Sequence, residues 1–290
     1  MYSRFVSVAC VNFKTSWGDK QANLDKMQVW VSEAARAGNQ IVVFPELALT
    51  GYECDESIGG SSPCAMHGKL AEIIPGPSTL QMAKLAKELN VYLIFGMPER
   101  DAIDSDVLYI SSVVIAPQGI LGVYRKLHLA PSPHFTEDKC FRKGSTIPVW
   151  ETEHGVIGVL ICYDFWYFPE LARIMALKGA RLIINTAASA AGPGKPSFIV
   201  QQTGSRATEN MVYAVSCNLV GQERTMTFAG HSIISGPLGT RPAHIFAEAG
   251  NEEEIISATL DFEQLRYRHS ILPWRESRQG KLISEEFARL

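Results

Sequence analysis

An α/β fold, built from two mixed sheets packed face to face with helices outside, is what this sequence predicts, and three observations predict it. Short apolar runs alternate along the chain with stretches of helical periodicity, the pattern of layered α/β domains. Strand-like runs also occur side by side without a helix between them, which calls for antiparallel pairs next to parallel ones. Two βαβ-like halves, roughly residues 5–125 and 147–260, are each long enough to supply one sheet.

The elements follow in order. Arg4–Phe13 alternates as a strand. Asp19–Arg36 carries Leu24, Met27, Val31 and Ala34 on one helical stripe, and Gly38 and Asn39 stop it. Gln40–Phe44 is a buried strand ending at Pro45. Ser78 caps a helix through Leu89, followed by a strand over Val91–Gly96. Tyr109–Ala116 and Ile120–Tyr124 form a hairpin across Pro117-Gln118-Gly119. In the second half, Val156–Ile161 is a strand that stops at Cys162. Pro169 opens a helix to Lys178, with Gly179 behind it. Arg181–Asn185 is a strand, Phe198–Glu209 a helix and Tyr213–Cys217 a strand. The last strands lie near Ser232–Ser235, His244–Ala247 and Glu254–Leu260.

Composition narrows the class. Apolar residues make up 46% and charged residues 20% of 290, the balance of a water-soluble globular enzyme. A net charge of −3 gives no general pull toward nucleic acid or an anionic membrane. No apolar run reaches membrane-span length, and the first residues lack the layout of a signal peptide. The six cysteines, at 10, 54, 64, 140, 162 and 217, are scattered and form no Cys-x-x-Cys pair. That usage suits a reducing cytoplasm better than a disulfide scaffold, with most of them ordinary buried residues. No metal-ligand spacing is present, so neither metal nor cofactor is expected. Gly59-Gly60-Ser61-Ser62 reads as a flexible loop.

Three positions can carry chemistry. Glu46 follows a buried strand and is walled by Phe44 and Leu47; partial desolvation raises a carboxyl pKa and makes a base usable near neutrality. Lys126 closes another strand and can stabilise an oxyanion or hold a carboxylate ionised. Cys162 stands where a strand stops before a turn and a helix, a place where a thiol meets an electrophile and backbone N–H groups face an oxyanion. A free thiol, with a pKa near ~8.5, needs a neighbouring base or cation to react at neutral pH. Taken singly, a surface Glu, a strand-edge Lys and a buried structural Cys explain each position as well.

Their order and flanks say more. Residues 44–52 (Phe-Pro-Glu-Leu-Ala-Leu-Thr-Gly-Tyr), 124–129 (Tyr-Arg-Lys-Leu-His-Leu) and 158–164 (Gly-Val-Leu-Ile-Cys-Tyr-Asp), with Phe168-Pro169-Glu170 after them, resemble the nitrilase superfamily of carbon–nitrogen hydrolases. Later segments at 178–184, 205–210 and 230–239 are similar to it as well, so the resemblance spans about residue 5 to 275. It implies a four-layer α-β-β-α sandwich, with Glu46 as base, Lys126 as stabiliser of the tetrahedral intermediate and Cys162 as nucleophile. Glu137 matches a second, substrate-side acid. Tyr52, Tyr163, Phe165 and Trp166 are the substrate-binding candidates. One departure stands out: three aromatics, Phe165, Trp166 and Tyr167, separate Asp164 from Phe168 where two residues are expected.

The resemblance implies hydrolysis of a small amide or N-carbamoyl compound through a thioester, in a homodimer or higher homo-oligomer with no nucleic-acid or membrane partner. Residues 261–290, with Arg266, Arg268 and Arg275 around Pro273-Trp274, are read as a C-terminal segment at a subunit contact of a single domain spanning 1–290. Tyr163-Asp164 after the cysteine favours amides over nitriles, where Trp-Glu is common. The alternatives are a nitrilase, a Cys–His hydrolase using His128 or His154, and an inactive binding module of the same fold.

Overall fold

The computed structural model describes residues 2–54, 64–131, 135–238 and 241–290. The Gly/Ser loop at 59–62 and Gly239 lie outside the described residues. The first half runs β1 (Phe5–Asn12), α1 (Lys20–Arg36), β2 (Ile41–Val43), α2 (Ala65–Leu70), α3 (Pro77–Leu89) and β3 (Tyr92–Arg100). It continues through β4 (Leu108–Ala116), β5 (Gly119–Arg125) and the one-turn α4 (Glu137–Cys140). The second half runs β6 (Val149–Thr152), β7 (Gly155–Ile161), α5 (Tyr163–Tyr167), α6 (Pro169–Leu177), β8 (Leu182–Ala187) and α7 (Lys195–Asn210). Then come β9 (Tyr213–Asn218), β10 (Val220–Gln222), β11 (Thr227–Ala229), β12 (Ile233–Leu238), β13 (Arg241–Glu248) and β14 (Glu254–Asp261). Two helices close the chain, α8 (Phe262–Ile271) and α9 (Gly280–Phe287).

The strands form two six-stranded sheets, β14-β1-β2-β3-β4-β5 and β13-β12-β9-β8-β7-β6. Each has parallel pairs at its centre, β1–β2–β3 in one and β7–β8–β9 in the other, with antiparallel strands outward. Both are therefore mixed, as the sequence predicts, because helical crossovers feed the centres and tight turns feed the edges. The sheets meet through β1 against β9 and β4 against β7. Residues at that contact are small or polar in part: Ser112 and Thr186 hydroxyls bond at 2.6 Å, and the Cys217 thiol sits 3.2 Å from both the Val11 and Val43 carbonyl oxygens. Helices α1 and α3 pack together, α3 also covering one sheet, while α6 and α7 cover the other, which gives the four layers.

Local causes are readable. Asp19 caps α1 by accepting from the Ala22 N–H at 3.0 Å, and the stripe Leu24, Met27, Val31 and Ala34 is buried. Helix α3 starts one residue before the expected Ser78 cap, at Pro77; Ser78 instead gives its N–H and hydroxyl to Glu72. Helix α7 starts at Lys195, three residues before the expected Phe198, because Pro196 fits a first helical turn where no N–H is needed. The strand β6 and the helices α8 and α9 were not expected. In α8 only Phe262 and Leu265 are buried, and α9 is too short for its apolar residues, Leu282, Ile283 and Phe287, all exposed, to mark a helix by period. The segment after β14 nonetheless returns to its own chain: the Arg173 guanidinium lies over the Trp274 ring, and Arg275 donates to the Ala176 carbonyl at 3.1 Å. Among the described residues no helix is long and apolar enough to cross a membrane.

Candidate active site

The reactive residues come from both halves: Glu46 and Cys162 follow the parallel strands β2 and β7, Lys126 the edge strand β5, and Glu137 lies on α4. Glu46 lies in the turn after β2, on a backbone that Gly96 of β3 admits: a Cβ at Gly96 would sit 2.4 Å from the Leu47 nitrogen and 2.6 Å from the Glu46 Cα. Lys126 follows β5 directly, and its N–H holds the Ile110 carbonyl at 2.9 Å. Gly144 packs against the Arg125 carbonyl beside it, leaving no room for a side chain. Glu137 opens α4. Cys162 ends β7, and its N–H is shared between the Asn185 side-chain oxygen at 2.8 Å and the Thr186 carbonyl at 2.9 Å.

These four come together. Lys126 Nζ donates to Glu46 Oε1 at 2.7 Å and to Glu137 Oε1 at 2.8 Å, and the Lys126 and Glu46 side chains are fully buried. Glu137 also accepts from the Tyr52 hydroxyl at 2.5 Å and from the Ala130 N–H at 2.9 Å. Glu46 Oε2 has no hydrogen-bond partner, while the Cys162 thiol is close enough to act on the Glu46 charge. Burial raises the Glu46 pKa to about 7; Lys126 opposes that rise and Glu137 adds to it. Burial works against the Lys126 charge, but the carboxylates of Glu137 and Glu46 outweigh it, and the pKa is raised. Burial, and then the Glu46 charge, push the Cys162 thiol up to about 12, against the pull of Lys126. The site thus stores a neutral thiol beside a base poised to take its proton.

The backbone at Cys162 is unusual, with φ 45° and ψ −100°. That conformation aims the side chain out of the strand, and the next residue, Tyr163, opens α5, where the first N–H groups of a helix lack intrahelical acceptors. Asp164 fixes this turn to the other half of the molecule. Fully buried, it accepts from the Tyr124 hydroxyl, the Leu127 and His128 N–H groups and His128 Nδ1, all within 2.9 Å. His128 is further stacked on Phe168, with ring centroids 3.5 Å apart. His154 is set near Ser3 and Glu153, and among the described residues neither histidine bonds the Cys162 thiol.

A cavity of about 240 Å³ opens onto Cys162 and Glu137. Tyr52, Tyr163 and Trp166 line it, as do Tyr167 and Phe198. Phe165 does not, and the expectation of a pocket role there is corrected: it is fully buried, edge-on to Trp166, with its carbonyl accepting from Arg206. On a helical turn residues 163, 166 and 167 share a face, and 165 points away from it. A larger cavity, about 690 Å³ between α7 and β13, holds none of the reactive side chains and is set aside as the site of chemistry.

Two cysteines correct the sequence reading. Cys64 and Cys140, 76 residues apart, form a disulfide, with the Cys54 sulfur 3.6 Å from that of Cys140. The pairing depends on α2 meeting α4 in space, which no spacing rule encodes. Asp164, Asn185 and Gly96 are contributors that the sequence reading gave no role. Asp164 stood inside a quoted motif, and the other two carried no signal beyond their place in a strand. Among the described residues no cluster of His, Cys, Asp and Glu could hold a metal ion.

Comparison with known proteins agrees with this fold. Residues 7–268 match the carbon–nitrogen hydrolase family. A probable nitrilase of Schizosaccharomyces pombe is 37% identical over 264 residues, covering 90% of each chain. The omega-amidase NIT2 of Xenopus tropicalis is 35% identical over 275 residues, covering 92% of this chain and 93% of the relative. Among solved structures, Nit3 of Saccharomyces cerevisiae, from branch 10 of the nitrilase superfamily, superposes with a TM-score of 0.81 at 30% identity, covering 96% of this chain and 97% of that one.

Proposed function

The chain belongs to the carbon–nitrogen hydrolase family and cleaves carbon–nitrogen bonds other than peptide bonds, and on that premise we propose that it is an amidase acting on a small amide through a thioester on Cys162. The observation that carries this reading is Glu46 Oε2, without a hydrogen-bond partner among the described residues, beside the half-buried Cys162 thiol. Glu46 takes the thiol proton as Cys162 Sγ bonds to the substrate carbonyl carbon. Lys126 and the Tyr163 N–H receive the oxyanion. The tetrahedral intermediate collapses with cleavage of the carbon–nitrogen bond, Glu46 returning its proton to the departing nitrogen, and ammonia or an amine leaves. Glu46 then draws a proton from water, which attacks the thioester carbon; the carbon–sulfur bond breaks, Glu46 returns the proton to Sγ, and the acid leaves. Glu137 holds Lys126 in place, and among the described residues its Oε2 accepts one N–H, from Ala130, which leaves a lone pair for the substrate amide.

Tyr163-Asp164 supports amides over nitriles, because Asp164 is already engaged by four donors from the Lys126 side and is fixed as a brace. The omega-amidase relatives add weight in the same direction. The test is ammonia release from amides, N-carbamoyl compounds and nitriles, comparing wild type with Cys162→Ala. Release from amides that vanishes in the variant, together with an acyl mass increment on Cys162 in wild type quenched during turnover, is expected. Release confined to nitriles, or release that survives Cys162→Ala, overturns the proposal.

A further inference from the structure

Three of the six cysteines gather beside the active site. Cys140 closes α4, one turn after Glu137, and is bonded to Cys64, the residue before α2. Cys54 keeps its thiol, and its sulfur lies 3.6 Å from the same Cys140 sulfur. All three residues are half-buried. The contact joins two segments that already meet in the reactive network. Cys54 follows Tyr52 by two residues, and the Tyr52 hydroxyl donates to Glu137 at 2.5 Å. Disulfide exchange runs by attack of a thiolate on one sulfur of the bond, so a third sulfur at this range is a built-in nucleophile.

A further cavity of about 240 Å³ has Cys140 on its wall and shares no lining residue with the one at Cys162. Lys139 and Arg142 stand on that wall, both exposed, against one carboxylate, Asp106. A net positive wall concentrates an anionic thiol and favours its thiolate form. What the bond at Cys140 holds is α4, a turn of four residues that is too short to keep its place by its own hydrogen bonds. Glu137 anchors the start of the turn through Lys126, Tyr52 and Ala130, and the bond to Cys64 anchors its end, next to the buried Phe141. Opening that bond takes the covalent anchor from the turn that carries Glu137.

We propose that Cys54, Cys64 and Cys140 form a thiol–disulfide exchange site for a small anionic thiol, with Cys54 as the resolving thiol, and that this site sets how firmly α4 holds Glu137 against Lys126. The small thiolate attacks Cys140 Sγ, the bond to Cys64 breaks with its electron pair on the Cys64 sulfur, and Cys140 is left as a mixed disulfide. The Cys54 thiolate then attacks the same Cys140 sulfur and expels the small thiolate, which bonds Cys140 to Cys54. The proton that Cys54 gave up ends on Cys64, and no electron is gained or lost. Where a second small thiol instead attacks the mixed disulfide at the small molecule's sulfur, Cys140 leaves as a thiol. Two small thiols are then oxidised to their disulfide, and the protein has gained two electrons and two protons.

Glutathione is the probe, with 2-mercaptoethanol as its uncharged counterpart. Wild type, Cys54→Ser and Cys64→Ser, checked for folding by thermal melting, are treated, quenched with N-ethylmaleimide and cut after acidic residues; Asp55 and Glu56 separate Cys54 from Cys64. Mass spectrometry then maps each sulfur. In wild type the bond to Cys140 is expected to pass in part from Cys64 to Cys54. In Cys54→Ser the glutathione adduct should stay on Cys140, and Cys64→Ser treated with oxidised glutathione should acquire a Cys54–Cys140 bond. The glutathione rate should fall as salt is raised and the 2-mercaptoethanol rate should not. A Cys64–Cys140 bond untouched in wild type, or one sulfur map for wild type and Cys54→Ser, overturns the site; equal salt dependence overturns its preference for an anionic thiol. Only the last arm rests on the amidase reading. Full reduction by dithiothreitol should lower kcat for ammonia release about tenfold or more, as a displaced reactive group does, and oxidised glutathione should restore it. A kcat indifferent to reduction overturns the hold on Glu137. A wild type silent on every amide removes the amidase reading, and the sulfur map alone then decides the site.

Discussion

Two glutamates, the buried Glu46 and the half-buried Glu223, flank the segment that carries Tyr52, and they are put to different uses. Burial raises the pKa of both. Glu223 is surrounded by donors: the N–H groups of Tyr52 and Glu53, at 3.0 to 3.1 Å, and the Thr15 hydroxyl. Both its oxygens are occupied, and it ties the loop after Glu46 to the β10–β11 hairpin region. Glu46 Oε1 accepts from Lys126, and among the described residues its second oxygen has no hydrogen-bond partner. Desolvation by itself therefore does not mark a base. An acceptor that burial has isolated and no donor has satisfied is costly to keep, and its persistence points to a reaction that uses it.

Substitution at the two sites should separate rate from stability. Glu46→Gln is expected to lower kcat by about a hundred- to ten-thousandfold, the usual worth of a general base, with the fold retained by circular dichroism. Near-normal turnover would erase the distinction between the two carboxyls. The same assignment fixes a pH dependence. Below a pKa of about 7 the Glu46 carboxyl is protonated in the folded enzyme and cannot take the thiol proton. Hence kcat/KM should fall on the acid side of about pH 7, and iodoacetamide labelling of Cys162 should follow the same limb, not the thiol's own ionisation near 12. A labelling rate that climbs steadily toward pH 12 would mean that Glu46 does not act on the thiol.

Gly96→Ala sharpens the point, because it moves Glu46 without changing its chemistry. The new Cβ would overlap the turn at Leu47 and Glu46, and displacements near 1 Å cost about a hundredfold in rate. The kinetic loss in this variant should exceed what its melting temperature suggests. Glu223→Gln should show the reverse: about 1–3 kcal/mol of stability lost, as charge-assisted bonds weaken and one donor is left opposite an NH₂ group, with a smaller change in kcat. Equal melting temperatures for wild type and Glu223→Gln would place Glu223 outside the structural role assigned to it.

What could be read from sequence follows the same physics. The α1 stripe was legible because a 3.6-residue period survives any tertiary context, and β7 because an apolar run that stops at a polar turn is a local feature. Glu46, Lys126 and Cys162 each sit at a strand end, and strand ends were visible, but their meeting was implied by the resemblance alone, as was Glu137. The start of α7 was hidden by Gly194 and Pro196, which read as loop until Pro196 is seen to fit a first helical turn. Phe165 was misplaced because a run of three aromatics says nothing about which of them faces inward. The Cys64–Cys140 pairing and the reach of Asp164 across the two halves are facts of three-dimensional approach.

The backbone at Cys162, held at φ 45° and ψ −100°, has a bearing on how such a sequence persists. Glycine adopts that conformation more easily than any residue with a Cβ. In an ordinary strand, exchanging alanine for glycine lowers stability by about 0.5–1 kcal/mol; at this position the order should invert, with Cys162→Gly melting above Cys162→Ala. Folding and chemistry then vote for different residues at the same place. A lineage released from the need for turnover would be free to drift toward glycine there, with the fold gaining from the change.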